Sequence, residues 1–391
     1  MSDTQMHTYS PLPIDLIKGQ GAIVTDSKGN EYLDALAGIA VCSLGHAHPA
    51  VHKAICDQSK KLIHCSNIYS IGLQRQLADK LTDLSKMDNV FFSNSGAEAN
   101  EAAIKIARLY GHNKNIKNPS IIVTEGAFHG RTLATLTASG SRKVQAGFEP
   151  LVQGFIRAPY NDLEAIETIA TTNSEVVAIM VEPVQGEAGV VVPDPDYLQG
   201  LRKICDDNDW LLILDEIQTG ICRTGKWFAF EHANIQPDIM TLAKSLGNGV
   251  PIGACLARGI AAQTLQPGNH GSTYGGNPLV CSVALAVLDV MQSEKLDQKA
   301  AITGQRILDG FIQTLQGLTG VQDIRGCGMM IGIELDRDCT QLVTEALSKN
   351  ILINVTNSNR IRLLPPLIIT DEQADQIVER VSELVIKFLQ D

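Results

Sequence analysis

The chain has 391 residues, a formal net charge of −11, and 44% hydrophobic against 19% charged residues. Such a length allows two or three domains and a core burying about three quarters of the unfolded surface, in a composition that is globular rather than disordered. The acidic balance excludes a general nucleic-acid or anionic-membrane binder, which needs a basic field, but not a local basic pocket for a small anion.

No segment approaches the run of about 18 apolar residues that spans a bilayer. Residues Met1 to Ser10 are polar and lack the basic start and apolar stretch of a secretory signal. The nine cysteines are scattered, with no CxxC pair, so they form neither a disulfide framework nor a zinc-ligand spacing. The expectation is a cytoplasmic protein without a metal, whose thiols mostly act as small buried hydrophobes.

Along the chain, apolar runs of strand length alternate with helical patterns. Asn89–Ser93 leads into a helix over Ala97–Tyr110, with Ala103, Ile104, Ala107 and Tyr110 at helical spacing. Ser120–Thr124 and Glu175–Glu182 are further strands. Leu198, Leu201, Ile204 and Cys205 mark a helix, and the strands Trp210–Leu214, Pro237–Leu242 and Ile252–Ala257 follow. This alternation predicts an α/β fold with a mostly parallel sheet covered on both faces.

After about residue 289 helical segments surround the strands Met329–Leu335, Ile351–Val355 and Arg360–Ile369. Thr370 with Gln373 three residues on reads as a capping box for a last helix, whose apolar face is Ile377, Val378, Val381, Leu384, Val385 and Phe388. The expected division is a segment 1–54 associated with a small domain, a large α/β domain at 55–288, and a small α+β domain at 289–391.

Three loops carry chemistry. In Ser93-Asn-Ser-Gly-Ala-Glu-Ala-Asn100 a small-residue loop joins a strand to a helix, where free N–H groups and the positive end of the helix dipole can seat a phosphate. Taken alone it reads more readily as an ordinary Gly/Ser helix entry. Next, the strand Trp210–Leu214 ends in Asp215, a carboxylate at the sheet edge where α/β proteins bind ligands. It suits a metal or a protonated ring nitrogen, but no histidine stands at a metal-ligand spacing nearby. Lys244 follows a third apolar strand and opens a Gly-rich loop. A lysine there either reaches out to solvent or serves as an amine for Schiff-base chemistry. The three features in this order say far more than each alone.

At this point the chain resembles the class III, fold type I pyridoxal-phosphate aminotransferases over nearly its whole length. The motifs are SNSGAEANE (93–101), FHGRT (128–132), VEPVQGEAGV (181–190), DEIQTG (215–220), the Lys244 loop and HGSTYGGNP (270–278). The resemblance implies a large domain with a mostly parallel sheet and a smaller α+β domain, with pyridoxal 5'-phosphate as cofactor. It implies that Lys244 carries the cofactor, that Asp215 pairs with its pyridine nitrogen, and that Gln218 reaches the ring hydroxyl. Phe128 and Ile217 would face the ring from opposite sides. Ser95, Gly96 and Ala97 would seat the phosphate, and Thr273 would reach the phosphate of the partner subunit, which makes a homodimer the expected unit.

Among these families the chain is most similar to the acetylornithine aminotransferases of arginine biosynthesis, with ornithine aminotransferases as near relatives. The resemblance gives Arg131 to a substrate carboxylate and Ser272 to a second substrate contact. Arg362 and Glu187 would form a switch: Glu187 masks Arg362 when the donor offers one carboxylate. With glutamate, Arg362 takes the α-carboxylate and Arg131 the other. Ornithine aminotransferases usually have Tyr where this chain has Ile39, and that apolar residue suits an acylated nitrogen better than an ammonium, which is costly to desolvate. Tyr9, shared with the ornithine group, leaves ornithine open as donor. Succinyldiaminopimelate and 4-aminobutyrate are other candidates, and an aminomutase or decarboxylase is the alternative of different class. Retention of both Glu187 and Arg362 favours a transaminase with two substrates.

Overall fold

The computed structural model describes residues 4–390. Three short antiparallel strands come first: β1 (Leu16–Gln20), β2 (Ile23–Asp26) and β3 (Glu31–Asp34). Seven more build the central sheet: β4 (Asn89–Ser93), β5 (Ser120–Thr124), β6 (Phe155–Ala158), β7 (Val176–Val181), β8 (Leu211–Asp215), β9 (Ile239–Leu242) and β10 (Gly253–Ala257). Their spatial order is β4-β10-β9-β8-β7-β5-β6.

Residues of the inner strands divide between the sheet faces. Leu212 and Leu214 of β8 join one apolar cluster, while Leu211 and Ile213 join another. Both faces are covered, so the strands are continuous apolar runs rather than alternating ones. Each fully buried aliphatic side chain there contributes about 1.5–3 kcal/mol of transfer free energy.

The sheet is not parallel throughout. β10 runs against both of its neighbours, β4 and β9. The sequence reading of Ile252–Ala257 as one more member of an alternating series missed this reversal. The reason is the connection: between β9 and β10 lie only the Lys244 turn and a Gly-rich loop, too short for a crossover helix. Because β10 alone is reversed, β4, β5, β7, β8 and β9 all end at the same edge. Asp215, Lys244, the 94–97 loop, the 125–131 loop and Glu182 therefore meet there.

The last strands are β11 (Val321–Cys327), β12 (Met330–Leu335), β13 (Ile351–Leu352), β14 (Asn354–Thr356) and β15 (Arg360–Leu363). They correct two boundaries. The run Ile351–Val355, read as one strand, breaks at Ile353: β13 pairs in parallel with β3, while β14 pairs with β15 in a separate sheet ordered β11-β12-β15-β14. The run Arg360–Ile369 is strand only as far as Leu363, because Pro365 and Pro366 cannot continue the hydrogen bonding. The β3–β13 pairing ties the first strands to the C-terminal third. Positions 54/55 and 288/289 both fall inside helices, Pro49–Ser59 and Pro278–Ser293.

The capping box is formed. Thr370 N–H donates to the Gln373 side chain at 3.1 Å, and Gln373 N–H donates to Thr370 Oγ1 at 3.2 Å. The helix Asp371–Gln390 then buries Ile377, Val381, Leu384, Val385 and Phe388, with Val378 partly covered.

Candidate active site

A cavity of about 470 Å³ opens at the shared strand edge. Ser95, Gly96, Ala97, Phe128, Arg131, Glu187, Asp215, Ile217, Gln218 and Lys244 line it together, although they are spread over 150 residues of sequence. Asn94, His129, Glu182, Val41 and Val250 complete much of the wall.

One end is an anion seat. The helix Gly96–Asn113 is capped by Ser95, whose Oγ accepts from Glu98 N–H at 3.2 Å. The N–H groups of Gly96 and Ala97 have no acceptor within the helix and stay available to a ligand. Gly96 is required by packing: a Cβ there would lie 2.7 Å from Ile217 Cδ1, so any side chain would close the gap between the helix start and Ile217.

The floor is a fixed carboxylate. Asp215 Oδ2 accepts from Asn100 Nδ2 at 2.7 Å and lies 2.8 Å from His129 Nδ1, while Oδ1 accepts from Ile217 N–H at 3.1 Å. Asn100 is oriented in turn by Thr241 Oγ1, which donates to its Oδ1 at 2.7 Å. Asp215, His129, Asn100 and Thr241 are all buried. Glu216 points the other way, as strand alternation requires, and accepts from the N–H groups of Ala229 and Phe230 at 2.7 and 2.9 Å.

Lys244 lines the same cavity. Burial lowers its pKa and Arg362 adds to that, against the pull of Glu187, Asp215 and Glu182. A lysine shifted in this direction is more readily the neutral amine that attacks a carbonyl. Its backbone is in the left-handed region, φ 42°, strain of a kind that collects at functional sites. The next residue holds the turn: Ser245 Oγ donates to Ala40 O at 3.1 Å and meets Ser43 Oγ at 2.6 Å.

Residues 37–40 form a left-handed turn. Ala37, Gly38, Ile39 and Ala40 have φ of 51°, 63°, 65° and 58°. Three of these are not glycine, and each such residue costs about 1–2 kcal/mol in this conformation. Arg223 braces the segment from behind. It is fully buried and donates to Ser43 Oγ at 2.8 Å, Met329 O at 3.2 Å and Pro365 O at 2.5 Å. Burial without a carboxylate partner pulls its pKa down to about 9.

Glu182 links two loops. Its Oε1 accepts from Phe128 N–H at 2.7 Å and its Oε2 from Gly186 N–H at 3.0 Å. Burial pushes its pKa up to about 7. Glu187 lines the cavity, whereas Arg362, an expected site residue, is buried outside its wall and reaches it only through Nη1, which donates to Glu187 Oε1 at 2.6 Å. Burial alone would raise Glu187, but Arg362, with Lys244 and Arg131 more distant, outweighs it and holds the carboxyl below its ordinary range. The Arg131 guanidinium lies 5.7 Å from the Phe128 ring centroid, an arrangement that favours a cation over the ring face.

Not every expected residue reaches the cavity wall. Ser272 is one step removed, its Oγ accepting from Asn94 Nδ2 at 3.2 Å. Thr273 is exposed beside it, on a loop that Asn67 ties down through Ser272 O and Gly275 O. Ile39 is half-buried in a small apolar cluster with Ala40, Val184, Val190 and Leu364, and Val41 of the same segment is the side chain that lines the cavity. Tyr9 is 87% exposed. The sequence alone gives no role to Asn100, His129, Glu182, Asn354 or Arg223, although Asn100, His129 and Glu182 stand inside the motifs.

The residues fit pyridoxal phosphate. A carboxylate floor, an amine in the same cavity, and a helix N-terminus at one end match the ring nitrogen, the carbonyl and the phosphate of such a group. Gln218 Oε1 is buried without a hydrogen-bond partner, and a Cβ at Gly186 would lie 2.2 Å from it, so that amide is held at a fixed place in the cavity wall. Among the described residues no cluster of His, Cys, Asp and Glu is arranged to hold a metal ion.

Known proteins are similar to this chain over nearly its whole length. Residues 4–385 match the family model described as aminotransferase class-III. An acetylornithine aminotransferase of Nitrosomonas europaea is 57% identical, with 98% of each chain covered. The structure is similar to that of an ornithine aminotransferase from Toxoplasma gondii, which has pyridoxal phosphate at its active site (TM-score 0.95, 36% identity, 99% of this chain and 93% of that one). It also resembles an acetylornithine aminotransferase from Elizabethkingia anophelis (TM-score 0.88, 35% identity, 98% and 96% covered). With the family model spanning nearly all of it and the lysine, carboxylate and anion seat around one cavity, the chain belongs to the class-III aminotransferases.

Proposed function

We infer that this chain is a pyridoxal-phosphate-dependent transaminase that moves the δ-amino group of N-acetylornithine to 2-oxoglutarate, giving N-acetylglutamate semialdehyde and glutamate. The observation that carries the reading is the 57% identity over 98% of both chains to an enzyme of that name, joined to a cavity with the matching chemistry. When bound, the cofactor supplies an electron sink for the carbanion that transamination requires.

The protein's own part divides among its side chains. Asp215, held by Asn100 and His129, would keep a proton on the ring nitrogen by charge. Gln218 would direct its amide to the ring hydroxyl, Phe128 and Ile217 would confine the ring, and Ser95, Gly96 and Ala97 would hold the phosphate. Lys244 would hold the cofactor and would carry the proton to and from the reacting carbon.

For the donor, Arg131 takes the α-carboxylate in a two-point grip and Ser272 assists it. The apolar turn at Ile39 accepts the acetylated nitrogen, and Tyr9 is a further donor contact. Glu187 covers Arg362 in this half of the cycle and leaves it for glutamate in the other. Thr273 reaches the phosphate seat of a partner. The exposed apolar side chains Leu62, Ile63, Ile68, Tyr69 and Tyr274 support a homodimer through that face. Unpaired cysteines throughout support a reducing, cytoplasmic setting. The division at 1–54, 55–288 and 289–391 remains our proposed partition, with helices bridging both boundaries.

Incubation of the loaded enzyme with N-acetylornithine and 2-oxoglutarate tests the reading. Semialdehyde and glutamate should appear in equal amounts. Release of carbon dioxide, or an isomerised amino acid without glutamate, would replace it with a decarboxylase or a mutase.

A further inference from the structure

Arg362 is held at two places, and the two are unequal. On β15 it stands directly opposite Asn354 of β14, with Gly332 of β12 on its other flank. Cross-strand neighbours of this kind put their side chains side by side on one face. Asn354 Oδ1 accepts from Arg362 Nη2 at 2.8 Å and from Nε at 3.2 Å. Gly332 offers no side chain, and a Cβ there would lie 2.8 Å from Gly189 O. The third bond is the one from Nη1 to Glu187.

Exposure separates the anchors. The Arg362 side chain is 1% exposed, whereas that of Glu187 is 36% exposed. Glu187 can leave, and Arg362 cannot follow it. Asn354 occupies the Nε–Nη2 edge of the guanidinium, so the departure of Glu187 frees the Nη1 end. That end presents a fork to an incoming carboxylate without any rearrangement of the arginine.

We propose that Asn354 is a positioning residue for one half of the reaction: it keeps Arg362 aimed for the α-carboxylate of glutamate or 2-oxoglutarate while Glu187 is displaced. The proposal rests on the assignment of Arg362 to that carboxylate. In the donor half, Glu187 itself holds Arg362 and Asn354 is dispensable. Without Asn354 two buried N–H groups lose their acceptor, and the guanidinium turns toward Glu187, strengthening the pair that glutamate must break.

Single-turnover kinetics of each half-reaction test this in Asn354→Ala and Asn354→Leu, followed by the visible absorbance of the bound cofactor. The glutamate half should slow by about ten- to a hundredfold, the scale of lost hydrogen bonds to a charged group, and the N-acetylornithine half should stay within about threefold. Calorimetric binding of glutarate, an unreactive five-carbon dicarboxylate, should weaken in parallel with the glutamate half. Asn354→Asp, which keeps an acceptor at the same reach, should recover much of the loss. Should Asn354→Leu not fold, Asn354→Ser, whose hydroxyl stops short of the guanidinium, carries the same expectation. Equal slowing of both halves, or of neither, overturns the proposal. Arg362→Lys in the same assay separates the two levels: an intact glutamate half there would remove the assignment of Arg362 itself. Loss with Arg362→Lys but not with Asn354→Leu would remove only the role of Asn354.

Discussion

Asp215 and Glu187 are carboxylates facing one cavity, and they are held in opposite ways. Asp215 is buried at a strand end and fixed by Asn100, His129 and the Ile217 N–H. Glu187 is partly open on a loop and has one arginine partner. The first is arranged to hold one charge at one place through every turnover. The second has a single strong contact that a substrate carboxylate can replace. Rigidity at the floor and exchangeability at the mouth are what an enzyme needs when one cofactor position must serve two unlike substrates.

The floor should fail catastrophically and cleanly. Lys244→Ala is expected to lower turnover by about a thousandfold or more while leaving the fold intact, since both the cofactor anchor and the proton carrier are lost. Near-normal rates without an added amine would break the assignment. Asp215→Asn preserves shape but removes the charge, and kcat should fall by about a hundredfold. An unchanged kcat would show that the carboxylate is not at the ring nitrogen.

Glu216, one residue along, sharpens the contrast because it is buried on the far side of the strand. Its pKa is raised by burial from 4.5 to about 7, against the N–H donors that favour its charge. Between those values the folded protein holds a proton that the unfolded chain releases, so this carboxyl opposes folding increasingly as pH rises toward 7 and does so little below 4.5. Glu216→Gln should remove that decline. The difference in unfolding free energy between variant and parent should change by about 2 kcal/mol between pH 5 and 7, the parent losing more as pH rises. Denaturant unfolding at several pH values measures it, and a pH-independent difference would contradict the argument. The effect on kcat should be far smaller than that of Asp215→Asn.

The two regions also differed in how far the sequence exposed them. The strand-end Asp215 and Lys244 were legible because each closes an apolar run that has no reason to end in a charge. Their supports were not. Asn100 and His129 lie 115 and 86 residues from Asp215 in the chain, and only the sheet order brings them together. Arg223 carries no distinguishing signal in the sequence, but the fold buries it against three separate segments. The reversal of β10 escaped because an apolar run is the same read in either direction. Asn354 was hidden by the strand break at Ile353, which places it opposite Arg362. Ile39 packs into a separate apolar cluster, and Val41 of the same segment is the side chain at the cavity, a difference that no spacing in the sequence announces.

The mouth should respond to substitution gradually. Ile39→Tyr is expected to narrow the preference for N-acetylornithine over ornithine by several-fold, a modest change because a hydroxyl offers the ammonium only one partner. The left-handed turn must first accept the new side chain, which thermal unfolding of the loaded variant would report. A wider gap would place Ile39 away from the donor's nitrogen.

The most direct test of the account compares kcat/KM for N-acetylornithine and ornithine with 2-oxoglutarate in the parent enzyme. Leaving an ammonium poorly paired against an apolar wall costs a few kcal/mol, and about 1.4 kcal/mol is tenfold. N-acetylornithine is therefore expected to be favoured by roughly ten- to several-hundredfold. Equal efficiency for the two donors, or a preference for ornithine, would contradict it.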